Sequence, residues 1–344
     1  MTSLVSYPTN FRRWLTIWLF CLLGGFVLTT SGCLDDEEDD LIGNWVRRSD
    51  FEGIPRTNAV AFAIGNFGYV GLGYDGDEDL RDFWRYDVDR DFWTQMDPFP
   101  GPPRQAAVAF SVGGKGYVGT GFDSEDDEYY QDFYAFDPTA GAGEQWTRIP
   151  DFPGSARYNA TAFADENSGY VGSGYDDNWL KDFYAYDPEQ GTWRQIVSLG
   201  GSKRENAIAF TIDGFHYVGT GRNNGLAEQD FWRYAPQEDR WERLLDLDEE
   251  DDYAIERYGG VSFVLNGRGY VATGTNGFNS SSVWEYLPAN DEWEEKTAFE
   301  GVSRQDAVAF VAAGRAFLTT GRSGATQLDD LREFLPLEEA DEDD

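Results

Sequence analysis

The sequence predicts an all-β fold: a six-bladed β-propeller of four-stranded antiparallel blades, with the last blade closed by the N-terminal strand. Three observations predict it. One arginine-headed segment occurs six times, two strand signatures follow each copy, and the strand missing from the last copy stands at the other end of the folded region. Self-similarity at a period of about forty to fifty residues is the mark of a propeller built from one repeated unit.

The arginine-headed segment reads RTNAVAF at 56–62, RQAAVAF at 104–110, RYNATAF at 157–163, RENAIAF at 204–210, RYGGVSF at 257–263 and RQDAVAF at 304–310. Its arginines follow one another at steps of 48, 53, 47, 53 and 47 residues. Each segment opens strand a, the innermost of its blade. Six such strands converge on one axis, so their axis-facing side chains must be small, as Ala59, Ala61, Ala107, Ala109, Ala307 and Ala309 are.

Strand b carries GYVGLG at 68–73, GYVGTG at 116–121, GYVGSG at 169–174, HYVGTG at 216–221, GYVATG at 269–274 and AFLTTG at 316–321. Strand c follows as DFWRYD at 82–87, DFYAFD at 132–137, DFYAYD at 182–187, DFWRYA at 230–235, SVWEYL at 282–287 and DLREFL at 330–335. Apolar and polar residues alternate in these short runs, and Gly or Asp-Pro turns bound them, which means strands. Aromatics such as Tyr69, Phe83, Trp84 and Tyr86 fill the wider space between neighbouring blades. Strand d contains Trp93, Trp146, Trp193, Trp241 or Trp293. No amphipathic helix follows residue 32.

The sixth copy ends early. Six residues separate Tyr86 from Trp93, but the matching position beyond Phe334 is Asp341, and no tryptophan follows. Trp45 supplies the missing piece: it precedes Arg56 by eleven positions, the interval that also joins Trp93 to Arg104, Trp146 to Arg157, Trp193 to Arg204 and Trp293 to Arg304. Residues 41–51 are therefore expected to pair beside the final strand, which removes a free sheet edge and ties the two ends together.

Composition suits a large packed core: 41% of residues are apolar, 16% are aromatic and 39 are glycines for tight turns. The net charge of −36 argues against nucleic acid or an anionic membrane surface as a partner of the folded part. The acidity serves solubility, adaptation to high salt, or cation binding. Cys21 and Cys33 are the only cysteines, so the folded part holds no internal disulfide, and His216 is the only histidine.

Residues 1–32 read as a signal peptide: Arg12 and Arg13 give a positive start and Trp14 to Thr29 an apolar run. Thr30, Ser31 and Gly32 then lead into Cys33. This resembles the lipobox of bacterial lipoproteins, although Thr30 stands where that motif has leucine. The resemblance implies acylation of Cys33 and anchoring at the outer membrane by several acyl chains, which hold durably where one does not. A plain cleaved leader or an uncleaved apolar anchor is the alternative. Residues 33–40 form an acidic tether whose adjacent carboxylates repel one another and cannot pack. Its position is similar to that of acidic signals for surface display. The propeller is expected over 41–337 and an acidic, disordered tail over 338–344.

The repeats resemble the kelch repeat across 41–336, on the GYVG-x-G strand, the Asp-x-x-x-Tyr/Phe-Asp-Pro turn and the spaced tyrosine and tryptophan. Gly71 and Gly73 flank Leu72 where that family has adjacent glycines. Kelch propellers include copper radical enzymes resembling galactose oxidase. Those need a cysteine crosslinked to tyrosine and two histidine ligands, a set this sequence lacks. A Ser-His-Asp set or a zinc site would have to run through His216 alone, which is expected to be a tolerated substitution for a strand-opening glycine.

Chain direction places the d-to-a links and b-to-c loops on one face. Arg56, Arg104, Arg157, Arg204, Arg257 and Arg304 are then expected near the axis at the channel mouth. There they would either clamp a carboxylate or phosphate, or each pair with an Asp of the adjoining blade, such as Asp82 or Asp132. The b-to-c loops differ from one another, as a site requires. The first three are acidic and aromatic and include Trp179; the others bring Arg222, Asn223, Asn224, Asn276, Asn279 and Arg322. Asp75, Asp77 and Asp79 alternate as oxygen ligands for calcium, the one metal the sequence suggests.

The function expected is a non-catalytic, envelope-anchored and monomeric binding or scaffolding propeller that recognises a protein or a glycan at this face. A second expectation follows from resemblance to sialic acid mutarotases, which use arginines for a carboxylate and Glu or Asp for proton transfer. Arg104, Arg157, Arg204 and Glu205 would serve there. A third is a purely structural component of the envelope.

Overall fold

The structure, a computed structural model, describes residues 41–248 and 253–340. Cys33, the leader, the tether at 33–40 and the tail beyond residue 340 lie outside the described residues. Within them there is no helix, and six four-stranded antiparallel sheets make up the fold. Five follow the chain order a, b, c, d. Blade 1, for example, consists of Val60–Ile64, Phe67–Gly71, Phe83–Asp87 and Phe92–Gln95.

The sixth sheet takes its outer strand from the beginning of the chain. Ile42–Arg47 pairs antiparallel with Leu331–Glu339, and Trp45 lies opposite Phe334. Trp45 is fully buried, with the rings of Phe299 and Phe334 at 4.9 and 4.7 Å. The final strand runs to Glu339, past the expected end of the propeller at 337, because Ile42 gives Glu339 a partner.

Adjacent blades meet through one repeated contact. The phenylalanine of strand a stacks on the aromatic of strand b in its own blade, as Phe62 does on Tyr69 at 5.1 Å and Phe110 on Tyr117 at 5.1 Å. The same phenylalanine covers the glycine that opens strand b in the next blade. A Cβ at Gly116 would stand 2.1 Å from the Phe62 ring, so that position admits no side chain without movement. Blade 4 departs from the rule. His216 occupies the glycine's place fully buried, 4.7 Å from the Phe163 ring and hydrogen-bonded through Nδ1 to Thr211 at 2.8 Å. It is an interior group packed into the seam between blades 3 and 4.

The strand a alanines face the axis, as expected. Ala61, Ala63, Ala109, Ala164 and Ala209 are among the residues lining an axial cavity of about 340 Å³ at the end of the channel away from the arginines.

Candidate functional site

The six repeated arginines are interior residues. All are buried, and Arg56, Arg104, Arg157, Arg204 and Arg304 are 0% exposed. Each guanidinium reaches the carbonyl of the residue between the two glycine positions of strand b, as Arg104 reaches Thr120 O at 2.9 Å and Arg157 reaches Ser173 O at 2.9 Å. Those middle residues hold a left-handed backbone, φ 59° at Leu72 and 60° at Thr120, which aims the carbonyl at the arginine. The following Gly73 needs its freedom, since at φ 99° a Cβ would lie 2.6 Å from Thr57 O.

Five of the guanidiniums also pair with the aspartate that opens strand c. Arg56 grips Asp82 at 2.5 and 2.8 Å, Arg104 grips Asp132 at 2.5 and 3.0 Å, and Arg157 grips Asp182 at 2.7 and 2.9 Å. Arg204 pairs with Asp230 and Arg304 with Asp330. The partner aspartate belongs to the same repeat, not the adjoining blade. The link to the adjoining blade is made by the arginine backbone, whose carbonyl accepts from a glycine of the preceding blade: Gly73 N–H to Arg104, Gly121 to Arg157, and Gly321 to Arg56 across the closure. These arginines therefore lock the ring and stand beneath the mouth.

Arg257 is the exception. Ser282 replaces the aspartate and accepts from Nη2 at 2.8 Å, and among the described residues no carboxylate joins the clamp. Burial lowers the Arg257 pKa to about 10, with Glu295 acting in the opposite direction.

Two positions past each arginine the chain borders the axial channel. Asn58, Ala106, Asn159, Asn206, Gly259 and Asp306 all have φ between 51° and 61°. Each donates its N–H to the carbonyl of its counterpart in the preceding blade, at 2.8 to 3.3 Å, and Asn58 donates to Asp306 to complete the circle. This closed ring of six backbone hydrogen bonds floors the mouth and borders a cavity of about 110 Å³.

Above the ring, the residue that follows each arginine pairs across to the first residue of its b-to-c loop. Glu205 and Arg222 exchange backbone hydrogen bonds of 3.1 and 2.9 Å, as do Gln305 with Arg322 and Tyr158 with Tyr175 at similar lengths. Cross-strand partners have adjacent side chains. Arg222 Nε accordingly donates to Glu205 at 2.9 Å, with the Arg222 fork 4.9 Å over the Tyr258 ring. Arg322 Nε donates to Asp306 at 3.2 Å. Glu205 also accepts from Asn159 at 2.8 Å and from Trp179 at 3.3 Å.

On the neighbouring blades an unbroken arc of rings runs from Phe122 and Tyr129 through Tyr158 and Tyr175 to Trp179, with each step between 5.3 and 5.6 Å. Burial pushes the Asp306 carboxyl above its ordinary range, against the lowering effects of Gln305 and Arg322. Tyr158 is raised by burial and by the Glu205 charge. Burial would lower Arg222, but Glu205 outweighs it and raises the guanidinium.

The structure thus brings together Arg222, Arg322, Trp179 and Glu205, and leaves Arg104, Arg157 and Arg204 below them. Asp75, Asp77 and Asp79 do not converge. Asp75 Oδ1 caps its own loop by accepting the N–H groups of Asp77 and Glu78, while Asp79 turns to Ser124 of the next blade at 2.6 and 2.7 Å. Among the described residues no three metal-binding side chains gather. The loops of blades 2, 4 and 6 form two-stranded ribbons that the sequence did not announce, and Phe122, Arg222 and Arg322 begin them.

Residues 169–200, spanning strands b to d of blade 3, match the kelch motif. The solved structure of YjhT is similar, with a TM-score of 0.69 at 15% identity over 83% of this chain and 96% of that one. The chain is a six-bladed β-propeller that carries a kelch motif in its third blade. None of the curated proteins matches it. Likeness to 941 solved chains shows how widely such a propeller is used, and a fold so common does not fix a function.

Proposed function

We propose that this kelch propeller is a non-catalytic binding module, anchored at the outer membrane through Cys33, whose mouth receives a protein or glycan ligand bearing a carboxylate. Kelch propellers commonly bind proteins. The observation that carries the reading is the pair Arg222 and Arg322, whose side chains are 35% and 38% exposed while their carboxylate partners are 4% and 6% exposed. Both arginines hold their partner through Nε; the Nη end of Arg322 is left to meet a carboxylate, and that of Arg222 lies against Tyr258. The aromatic arc offers flat apolar faces beside them, suited to a sugar ring or a peptide side chain.

Capture from the native envelope, run beside a glycan array, tests this. The Arg222→Ala/Arg322→Ala variant should remain folded at a lowered melting temperature and lose capture. Full capture by a folded double variant would refute the reading. Absence of any ligand for the intact protein would favour a purely structural envelope role.

A second reading rests on Glu205, a buried carboxylate at the mouth beside Arg222 and Tyr158. It would serve proton transfer on an acidic sugar in the manner of a mutarotase. Anomer exchange of N-acetylneuraminate followed by NMR decides it: acceleration abolished by Glu205→Gln supports it, and no acceleration ends it.

A further inference from the structure

The b-to-c loops around the mouth are of two kinds. On blades 1 to 3 they hold exposed carboxylates: Asp77, Glu78, Asp177 and the run Glu125 to Glu128. On blades 4 and 5 they raise apolar side chains into water instead. Leu226 is 72% exposed and Phe278 90%, the highest values among the large apolar residues described on this face.

A single exposed apolar residue is ordinary. These two stand on loops of adjacent blades, and hydrogen bonds hold both loops in place. Glu256, in the d-to-a link between the two blades, accepts from Gln229 at 2.7 Å at the end of the first loop and from Asn276 at 2.9 Å in the second. Asn279 Nδ2 donates to the carbonyls of Ser303 at 3.2 Å and Arg322 at 3.4 Å, which fastens the Phe278 loop to blade 6. Val302, 53% exposed, precedes Ser303 and extends the apolar rim. Loops fixed before contact spare a partner the entropy of ordering them.

The chemistry of this rim favours a polypeptide over a sugar. Leu226 has no ring face on which a sugar can stack, and hydroxyls pressed against it would lose water without gaining a partner. An apolar side chain covers it without that cost. The acidic loops opposite, on a chain of net charge −36, call for a cation. Tyr129 and Trp179 lie among those carboxylates, with the Tyr129 hydroxyl donating to Asp177 at 3.1 Å, so a basic side chain there meets both charge and aromatic rings.

We propose that the mouth receives a basic polypeptide segment whose apolar side chain is covered by Leu226 and Phe278 while its lysine or arginine side chains face the acidic loops of blades 1 to 3. The inference deepens the binding reading above and rests on it: the ligand carboxylate assigned to Arg322 then lies beside the apolar contact.

A phage-displayed random peptide library panned on the full-length protein in detergent tests this. Selected peptides should be rich in lysine or arginine around an apolar residue, and their binding should weaken as salt screens the charges. Leu226→Ser/Phe278→Ser alters two exposed side chains, so its melting temperature should match that of the unaltered protein, yet it should bind the selected peptides roughly tenfold or more weakly. No enrichment, acidic selected sequences, or equal binding by the double variant overturns the inference. A glycan array run on the same two proteins separates the two ideas. A glycan held equally by both, with no peptide selected, keeps the binding reading and ends this one, whereas neither peptide nor glycan removes both.

Discussion

Glu205 and Arg222 are partners twice over: their backbones exchange two hydrogen bonds and their side chains form an ion pair at 2.9 Å. The pair joins strand a of blade 4 to the loop above it, and Asn159 and Trp179 of blade 3 donate to the same carboxylate. One buried acid thus shapes the mouth and ties two blades.

Arg222→Leu should leave that carboxylate short of its cation and lower unfolding stability by about 1–3 kcal/mol. Adding Glu205→Leu should recover part of the loss, because the unpaired charge is gone. Urea unfolding of the four members of this cycle gives the coupling; strict additivity would mean that the pair contributes nothing.

The arginine clamps make a paired prediction. Asp132→Ala removes the partner of a fully buried guanidinium and should cost about 3–5 kcal/mol. Ser282→Asp supplies Arg257 with the partner its counterparts have, and should raise the midpoint of urea unfolding. A fall in that midpoint would show that the blade 5 clamp is satisfied by hydrogen bonds alone.

Trp45→Ala should cost about 3–5 kcal/mol, the usual range for truncating a buried tryptophan. Limited proteolysis should then release the N-terminal strand well before the rest of the ring. Resistance equal to that of the unaltered protein would deny Trp45 its role in closure.

Asp165 sets an acid limit at the seam between blades 3 and 4. Burial alone would raise its carboxyl. His216, the N–H groups of Asn167 and Ser168, and the Tyr170 hydroxyl together hold it down to about 2, against an ordinary 3.8. A carboxyl with a depressed folded value stabilises fully above its unfolded value, and that contribution is lost as pH falls through the folded one. Stability should therefore drop between about pH 4 and pH 2 in the unaltered protein. In Asp165→Asn this part of the acid limb should be absent, which thermal melts across that window would reveal.

Much of the mouth is legible in the irregular positions of the repeats. The residues just after each arginine vary while their neighbours repeat: Thr57-Asn58, Gln105-Ala106, Tyr158-Asn159, Glu205-Asn206, Tyr258-Gly259 and Gln305-Asp306. Those positions hold Glu205, Tyr158, Tyr258 and Asp306, and only the first of them stood out. The aspartates that open strand c recur in five copies alongside the arginines, a sign of pairing within the repeat. The three aspartates offered for calcium do not converge, because Asp75 and Asp79 turn their carboxylates to nearby N–H groups.

By itself the sequence determined the six-bladed ring, its four strands per blade and its closure by Trp45. These follow from spacing and from side-chain size, both of which are one-dimensional facts. Only the tertiary structure decided which charges face water. An arginine and an aspartate 25 to 28 residues apart become a pair whose guanidinium is buried, and an arginine at a loop root becomes open, according to how strand twist stacks the layers about the axis. Solvent exposure belongs to that stacking and to no single segment of the chain.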